Sequence, residues 1–109
     1  LSPQAQMRLQ QMRDNYKQSL SEKKAELEAS WEACRAGDWQ GQCVAELKAL
    51  AHKLGGSAGL YGFDDLGEAA RALDLGLSAG GAALDNDSVE PLLALMVQLE
   101  SQFSLALSS

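Results

Sequence analysis

The segment Leu47-Lys48-Ala49-Leu50-Ala51-His52-Lys53-Leu54-Gly55-Gly56-Ser57-Ala58-Gly59-Leu60-Tyr61-Gly62-Phe63 holds the only histidine of a 109-residue chain. At about 100° per residue, Val44, Leu47, Leu50, Ala51, Leu54 and Ala58 fall on one stripe, the pattern of a helix that buries one face. His52 projects roughly 140° from the middle of that stripe. A core histidine belongs on the stripe, so this one is expected at solvent. Its helical neighbours are small: Ala45 and Ala49 below, Gly55, Gly56 and Gly59 above, with Lys48 and Lys53 adding positive charge. The expected picture is an imidazole on a bare patch of helix, open to a second protein. Each glycine in a helix interior costs about 1 kcal/mol relative to alanine. Simple termination explains one of the three, so the cluster points to close approach by a neighbouring helix or a docking partner.

Upstream, Met7, Met12, Tyr16, Leu20, Leu27, Trp31 and Cys34 follow spacings of mostly three, four or seven. They predict one long amphipathic helix, or a short helix followed by a longer one, ending near Ala36. Leu1 to Gln6 reads as a loose lead-in, with Ser2-Pro3 as a helix start. The charged residues between are mixed in sign, as on a solvated face. Gly37-Asp38 reads as the stop, and Trp39 to Gln42 as the turn into a histidine helix running from about Gln42 to Ser57 or a little beyond. Downstream, Gly62 closes a turn. Phe63, Leu66, Ala69, Ala70, Leu73 and Leu77 then mark another helix, with Asp64 and Asp65 at its positive end. Ser78-Ala79-Gly80-Gly81-Ala82-Ala83 reads as a flexible link. Asp87 with Glu90 reads as a capping box with Pro91 in the first turn, opening a last helix with Leu92, Leu95, Met96, Leu99 and Phe103 on one face. The sum is all-α: an antiparallel up-and-down four-helix bundle with a short extra N-terminal helix or extension.

Composition agrees. Hydrophobic residues make up 46% of the chain, enough for one modest core in a single domain spanning 1–109. Val and Ile are almost absent while Ala, Leu, Glu, Gln and Lys abound, which favours helix over strand. A net charge of −6 argues against a nucleic-acid partner. No apolar run approaches the ~18 residues that would span a bilayer, and there is no signal peptide. A chain that begins with Leu1 is expected to be a piece of a longer polypeptide, whose parent could be membrane-anchored. Cys34 and Cys43 match no CxxC pattern and read as free, partly buried thiols of a reducing cytosol.

The sequence excludes most chemistries. One histidine and scattered acids make a poor metal site. His52 and Ser57, five residues apart, do not share a helix face, and no acid is in evident position to orient the ring, so nucleophilic hydrolysis is disfavoured. No phosphate-binding loop follows a strand, which disfavours a nucleotide site. What remains is an exposed imidazole acting with groups that a partner brings. An imidazole's ordinary pKa is about 6.5, so near neutral pH much of it is uncharged and its free nitrogen can attack phosphorus.

At these residues the chain resembles the histidine-containing phosphotransfer (HPt) domains of bacterial multistep phosphorelays. The family pattern is roughly Ala-His-x-Leu-Lys-Gly-Ser/Ala-Ala/Ser, then a glycine and a Leu-rich helix. Here it reads Ala51-His52-Lys53-Leu54-Gly55-Gly56-Ser57-Ala58, then Gly62, Leu66 and the Ala69-Ala70…Leu73 run. The resemblance implies a bacterial phosphocarrier with no ATP site or kinase activity of its own. His52 then accepts a phosphoryl group from a receiver-domain aspartate, in a response regulator or hybrid histidine kinase, and passes it to another receiver. It also implies a cytoplasmic monomer without a cofactor, the magnesium ion belonging to the receiver. Lys48, Lys53, Leu54, Gly55, Gly56, Ser57 and Gly59 form the expected rim, with Leu60 and Phe63 read either as docking contacts or as core, core being the better reading of Phe63 on its spacing. The family lysine three residues after the histidine is Gly55 here, so Lys48, Lys53 or the partner is left to supply the cation. The alternatives are a helical scaffold domain and a degenerate HPt domain that binds receivers without chemistry.

Overall fold

A computed structural model of the chain describes residues 2–37, 39, 41–79 and 86–108. It is a four-helix bundle with no strand among the described residues: α1 (Pro3–Ala36), α2 (Gly41–Ala58), a 3₁₀ turn (Gly59–Tyr61), α3 (Asp64–Ala79) and α4 (Asn86–Ser108). Each helix packs on its two neighbours around the bundle, α1 on α2 and α4, α3 on α2 and α4. The pairing is antiparallel. Tyr16 of α1 meets Ser57 near the end of α2, and Cys43 near its start lies against Ala33 near the end of α1.

The stripes read from the sequence form the core. Leu20, Leu27, Leu47, Leu66, Leu73, Leu77, Leu99 and Phe103 are fully buried, joined by Trp31, Val44, Ala51, Leu54 and Met96. Each such leucine or phenylalanine contributes about 1.5–3 kcal/mol of transfer free energy. Leu50 is only half-buried at the edge of this core.

Helix α1 is continuous and longer than the bundle it serves. Ser2 caps it, its hydroxyl accepting from the Ala5 N–H at 3.2 Å, and Pro3 fills the first turn. Gln4, Ala5 and Gln6 are therefore helical rather than a loose lead-in. The helix measures about 51 Å at 1.5 Å per residue, which accounts for the long axis of a 52 × 21 × 20 Å body. Its first buried residue is Tyr16. Met7 and Met12 keep the helical spacing but stay 72% and 49% exposed, because no other helix reaches that far. The expected N-terminal extension is this projecting end of α1.

The α1 stop differs in detail from expectation. Gly37 takes the C-cap with φ −91°, its N–H bonding Ala33 C=O. The left-handed residue is Trp39, with φ 57°. A non-glycine there costs of order 1–3 kcal/mol. The compensation is packing: the indole is 6% exposed and stands edge-on to Trp31, centroids 4.8 Å apart. Gly41 and Gln42 already belong to α2, and Asp38 lies outside the described residues.

Further along, Gly62 does adopt the left-handed conformation, φ 87°, and Phe63 N–H bonds Ala58 C=O at 2.9 Å. Ser78 and Ala79 extend α3 into the expected link, while 80–83 and the side chain of Asp87 lie outside the described residues. Because α4 begins at Asn86, Pro91 falls in its second turn rather than its first. Gly76 lets α4 approach α3 closely; a Cβ there would sit 2.9 Å from both Leu92 and Leu95.

One contact between α1 and α4 works against the fold at neutral pH. Glu100 shares a hydrogen bond with Glu28, and that bond, burial and the charge of Glu28 together raise its pKa above the usual 4.5, with Lys24 opposing. The folded chain thus holds a proton that the unfolded chain has released, so this contribution declines as pH rises above 4.5. Glu100→Gln is expected to raise the unfolding free energy at pH 7, by up to about 0.5 kcal/mol, with a higher urea midpoint, and to give no gain at pH 4. Midpoint measurements at the two pH values check this.

Candidate functional site

Helices α2 and α3 cross where their residues are smallest. Gly55 and Gly59 face Gly67; a Cβ on Gly67 would lie 3.4 Å from Gly59 N and 3.5 Å from Gly55 O. Gly55 is buried, and a Cβ on it would stand 2.8 Å from Arg71 Cγ. Gly56, one turn beyond His52, has nothing within 4 Å of where a Cβ would be. The glycine cluster therefore has two reasons: Gly55 admits α3, and Gly56 leaves open space.

That space is an open hollow of about 470 Å³ lined by His52, Gly55, Gly56, Gly59, Leu60, Arg71, Asp74 and Leu75. The His52 side chain is 76% exposed at its edge. Its Nδ1 lies 2.8 Å from Asp74 Oδ2, and Lys48 Nζ lies 3.3 Å from Asp74 Oδ1. Asp74 is only 14% exposed. Burial opposes its ionisation, but the His52 and Lys48 contacts outweigh that and hold its carboxyl below the usual 3.8. An ionised carboxylate can only accept, so the ring proton of neutral His52 sits on Nδ1. Nε2 then carries the lone pair on the side of the ring away from Asp74. A carboxylate behind an imidazole fixes its tautomer and orientation.

Not every expected rim residue is at the rim. Gly56, Gly59 and Leu60 line the hollow, and Leu60 is 82% exposed. Lys48 is engaged by Asp74 behind the imidazole. Leu54 and Phe63 are core, at 3% and 6% exposure, because both continue the apolar stripe; Arg13 covers the Phe63 ring at 4.7 Å. Gly55 also lines the hollow, beneath Arg71. Lys53 and Ser57 belong to another groove, about 490 Å³, between α1 and α2. There the hydroxyls of Ser57 and Tyr16 share a 2.6 Å hydrogen bond, and Tyr16 stacks on Tyr61 with centroids 4.4 Å apart.

Asp74, Arg71 and Leu75 are the functional candidates that the sequence reading missed. A signal existed for Asp74. It lies eleven residues after Phe63, and His52 eleven residues before it. In an antiparallel hairpin turning near Phe63, equal arms face each other.

Other chemistry finds little footing. Among the described residues no group of three His, Cys, Asp or Glu could hold a metal ion, and no helix is long and apolar enough to cross a membrane. Burial, the neighbouring Cys43 and Glu46 push the Cys34 thiol up to about 11, so it packs rather than reacts.

The arrangement is thus a helical bundle presenting one oriented imidazole beside an open hollow. The Hpt domain family model matches residues 11–102, and the chain belongs to that family of phosphotransfer modules of two-component signalling, which interact with receiver domains. No curated protein and no solved structure shows a significant match.

The open face of Gly56 carries a stability prediction. Gly56→Ala is expected to raise the melting temperature by a few degrees, since it removes a helix-interior glycine without a clash. Gly55→Ala is expected to lower it, because its Cβ meets Arg71 at 2.8 Å. Thermal denaturation of the two variants side by side checks both signs.

Proposed function

We propose that His52 is the phosphoacceptor of a phosphorelay, taking a phosphoryl group from a receiver-domain aspartate and passing it to another receiver. The observation that carries this reading is the 2.8 Å contact of His52 Nδ1 with Asp74, which leaves Nε2 as the free nucleophile of a ring that is 76% exposed. In the step, the Nε2 lone pair attacks phosphorus and an N–P bond forms. The P–O bond to the receiver's aspartate breaks and its carboxylate leaves with the electron pair. The Nδ1 proton stays on the ring against Asp74, whose negative charge favours the positive ring that results. Transfer onward is the same step in reverse.

The receiver brings its own magnesium ion, and the chain itself carries no cofactor and no ATP site. It acts as one domain, 1–109, and as a monomer in the cytoplasm where such receivers work. Leu60 and Leu75, 82% and 70% exposed beside the hollow, give the receiver apolar surface to dock on. Gly56 supplies the clearance: an L side chain there would occupy the space of the phosphoryl group and the incoming loop.

The test is incubation with a receiver domain phosphorylated on its aspartate. Label that moves to this chain, is lost in acid and survives base supports a phosphoramidate. No transfer from any receiver domain of the source organism contradicts it and favours the scaffold or degenerate reading.

A further inference from the structure

We infer that Arg71 is the residue that binds the phosphoryl group carried by His52, an assignment that rests on the phosphotransfer reading above. A phosphoryl group on Nε2 brings up to two negative charges to the mouth of the hollow, and a fixed cation there stabilises it. The two lysines near His52 in sequence do not line the hollow. Lys48 is paired with Asp74 at 3.3 Å, and Lys53 lines the groove between α1 and α2. Arg71 is the one cation among the described residues that lines the same hollow as His52.

Its guanidinium is held in place rather than left to wander. One N–H of Nη1 donates to the Gly55 carbonyl at 2.9 Å, which anchors the planar group over the end of α2. A guanidinium has five N–H donors, and the other four make no hydrogen bond or ion pair within the described residues. A pre-placed fork with unused donors suits phosphate oxygens better than a flexible ammonium does.

The same geometry explains the glycine at position 55, where the family resemblance leads to a lysine. The Arg71 stem occupies that site: a Cβ on Gly55 would lie 2.8 Å from Arg71 Cγ. A lysine at 55 and an arginine lying across from α3 exclude each other. In this chain the cation beside the hollow stands on α3, and position 55 carries no side chain to meet it.

The experiment uses phosphoramidate as phosphodonor, with ammonia leaving as His52 takes the phosphoryl group, so no receiver is needed. The phosphohistidine of wild type, Arg71→Lys and Arg71→Gln is followed by phosphorus NMR across pH. Loss of the cation is expected to raise the phosphoryl titration by about half a unit in Arg71→Gln, with Arg71→Lys close to wild type. A titration identical in all three overturns the assignment; so does a displacement equal in the lysine and glutamine variants, which marks a structural role. Should Arg71→Gln not fold, the Nε–H resonance of wild-type Arg71 decides: a shift on phosphorylation supports the contact, and no shift overturns it. Wild-type protein that takes no phosphoryl group from phosphoramidate or from a phosphorylated receiver refutes the phosphotransfer reading itself, a separate outcome from any difference among the Arg71 variants.

Discussion

A His52→Gln variant is expected to acquire no phosphoryl group from a phosphorylated receiver domain, a loss of at least a thousandfold, while folding normally. Glutamine is similar in reach and polarity but offers no ring nitrogen that can form a phosphoramidate. The imidazole is 76% exposed, so its removal leaves no cavity, and stability should change by no more than about 0.5 kcal/mol. Binding to the receiver should persist, because Leu60, Leu75 and the open face of Gly56 are untouched. Label transfer and receiver affinity measured on the same variant separate chemistry from docking. Undiminished labelling of His52→Gln would place the acceptor elsewhere.

Asp74→Ala is expected to slow phosphorylation of His52 by about ten- to a hundredfold, the size of effect found when the carboxylate that orients a metal-binding imidazole is removed. With the Nδ1 contact gone, the ring is free to rotate and to place its proton on Nε2, where no lone pair remains to attack. Asp74→Asn keeps an acceptor but loses the negative charge, so it should fall between the two. Single-turnover rates of the three proteins check the order. The stability effect has a definite sign with pH. The Asp74 carboxyl is held below its usual 3.8 in the folded chain. It therefore stabilises the fold above 3.8 and loses that contribution as pH falls through its lowered value. The melting difference between wild type and Asp74→Ala should be present at pH 7 and shrink toward zero below pH 3.8.

The helices and the exposed histidine were legible because both depend on local periodicity. Leu47, Ala51 and Leu54 share a stripe, and His52 is off it, whatever the rest of the chain does. Residues that act across helices were harder to read. Asp74 sits among leucines as one more acidic residue of α3; only the hairpin register makes it the partner of His52. Arg71 carries its charge to a glycine on another helix, which no spacing within α3 reveals. Ser57 adjoins the histidine turn in sequence, yet its hydroxyl faces Tyr16 on the other side of α2. Met7 and Met12 show the reverse failure, keeping a core-like spacing on a helix that outruns its partners. Trp39 takes a left-handed conformation that its type disfavours, because burial against Trp31 outweighs the backbone cost.

The central claim is that His52 presents Nε2 to solvent with its proton parked on Nδ1, and a long-range proton–nitrogen NMR spectrum of the single histidine reads this directly. In unphosphorylated protein above the imidazole titration, the account predicts the Nδ1–H tautomer; after phosphorylation, it predicts phosphorus coupling on Nε2. An Nε2–H tautomer, or phosphorus coupled to Nδ1, would contradict it.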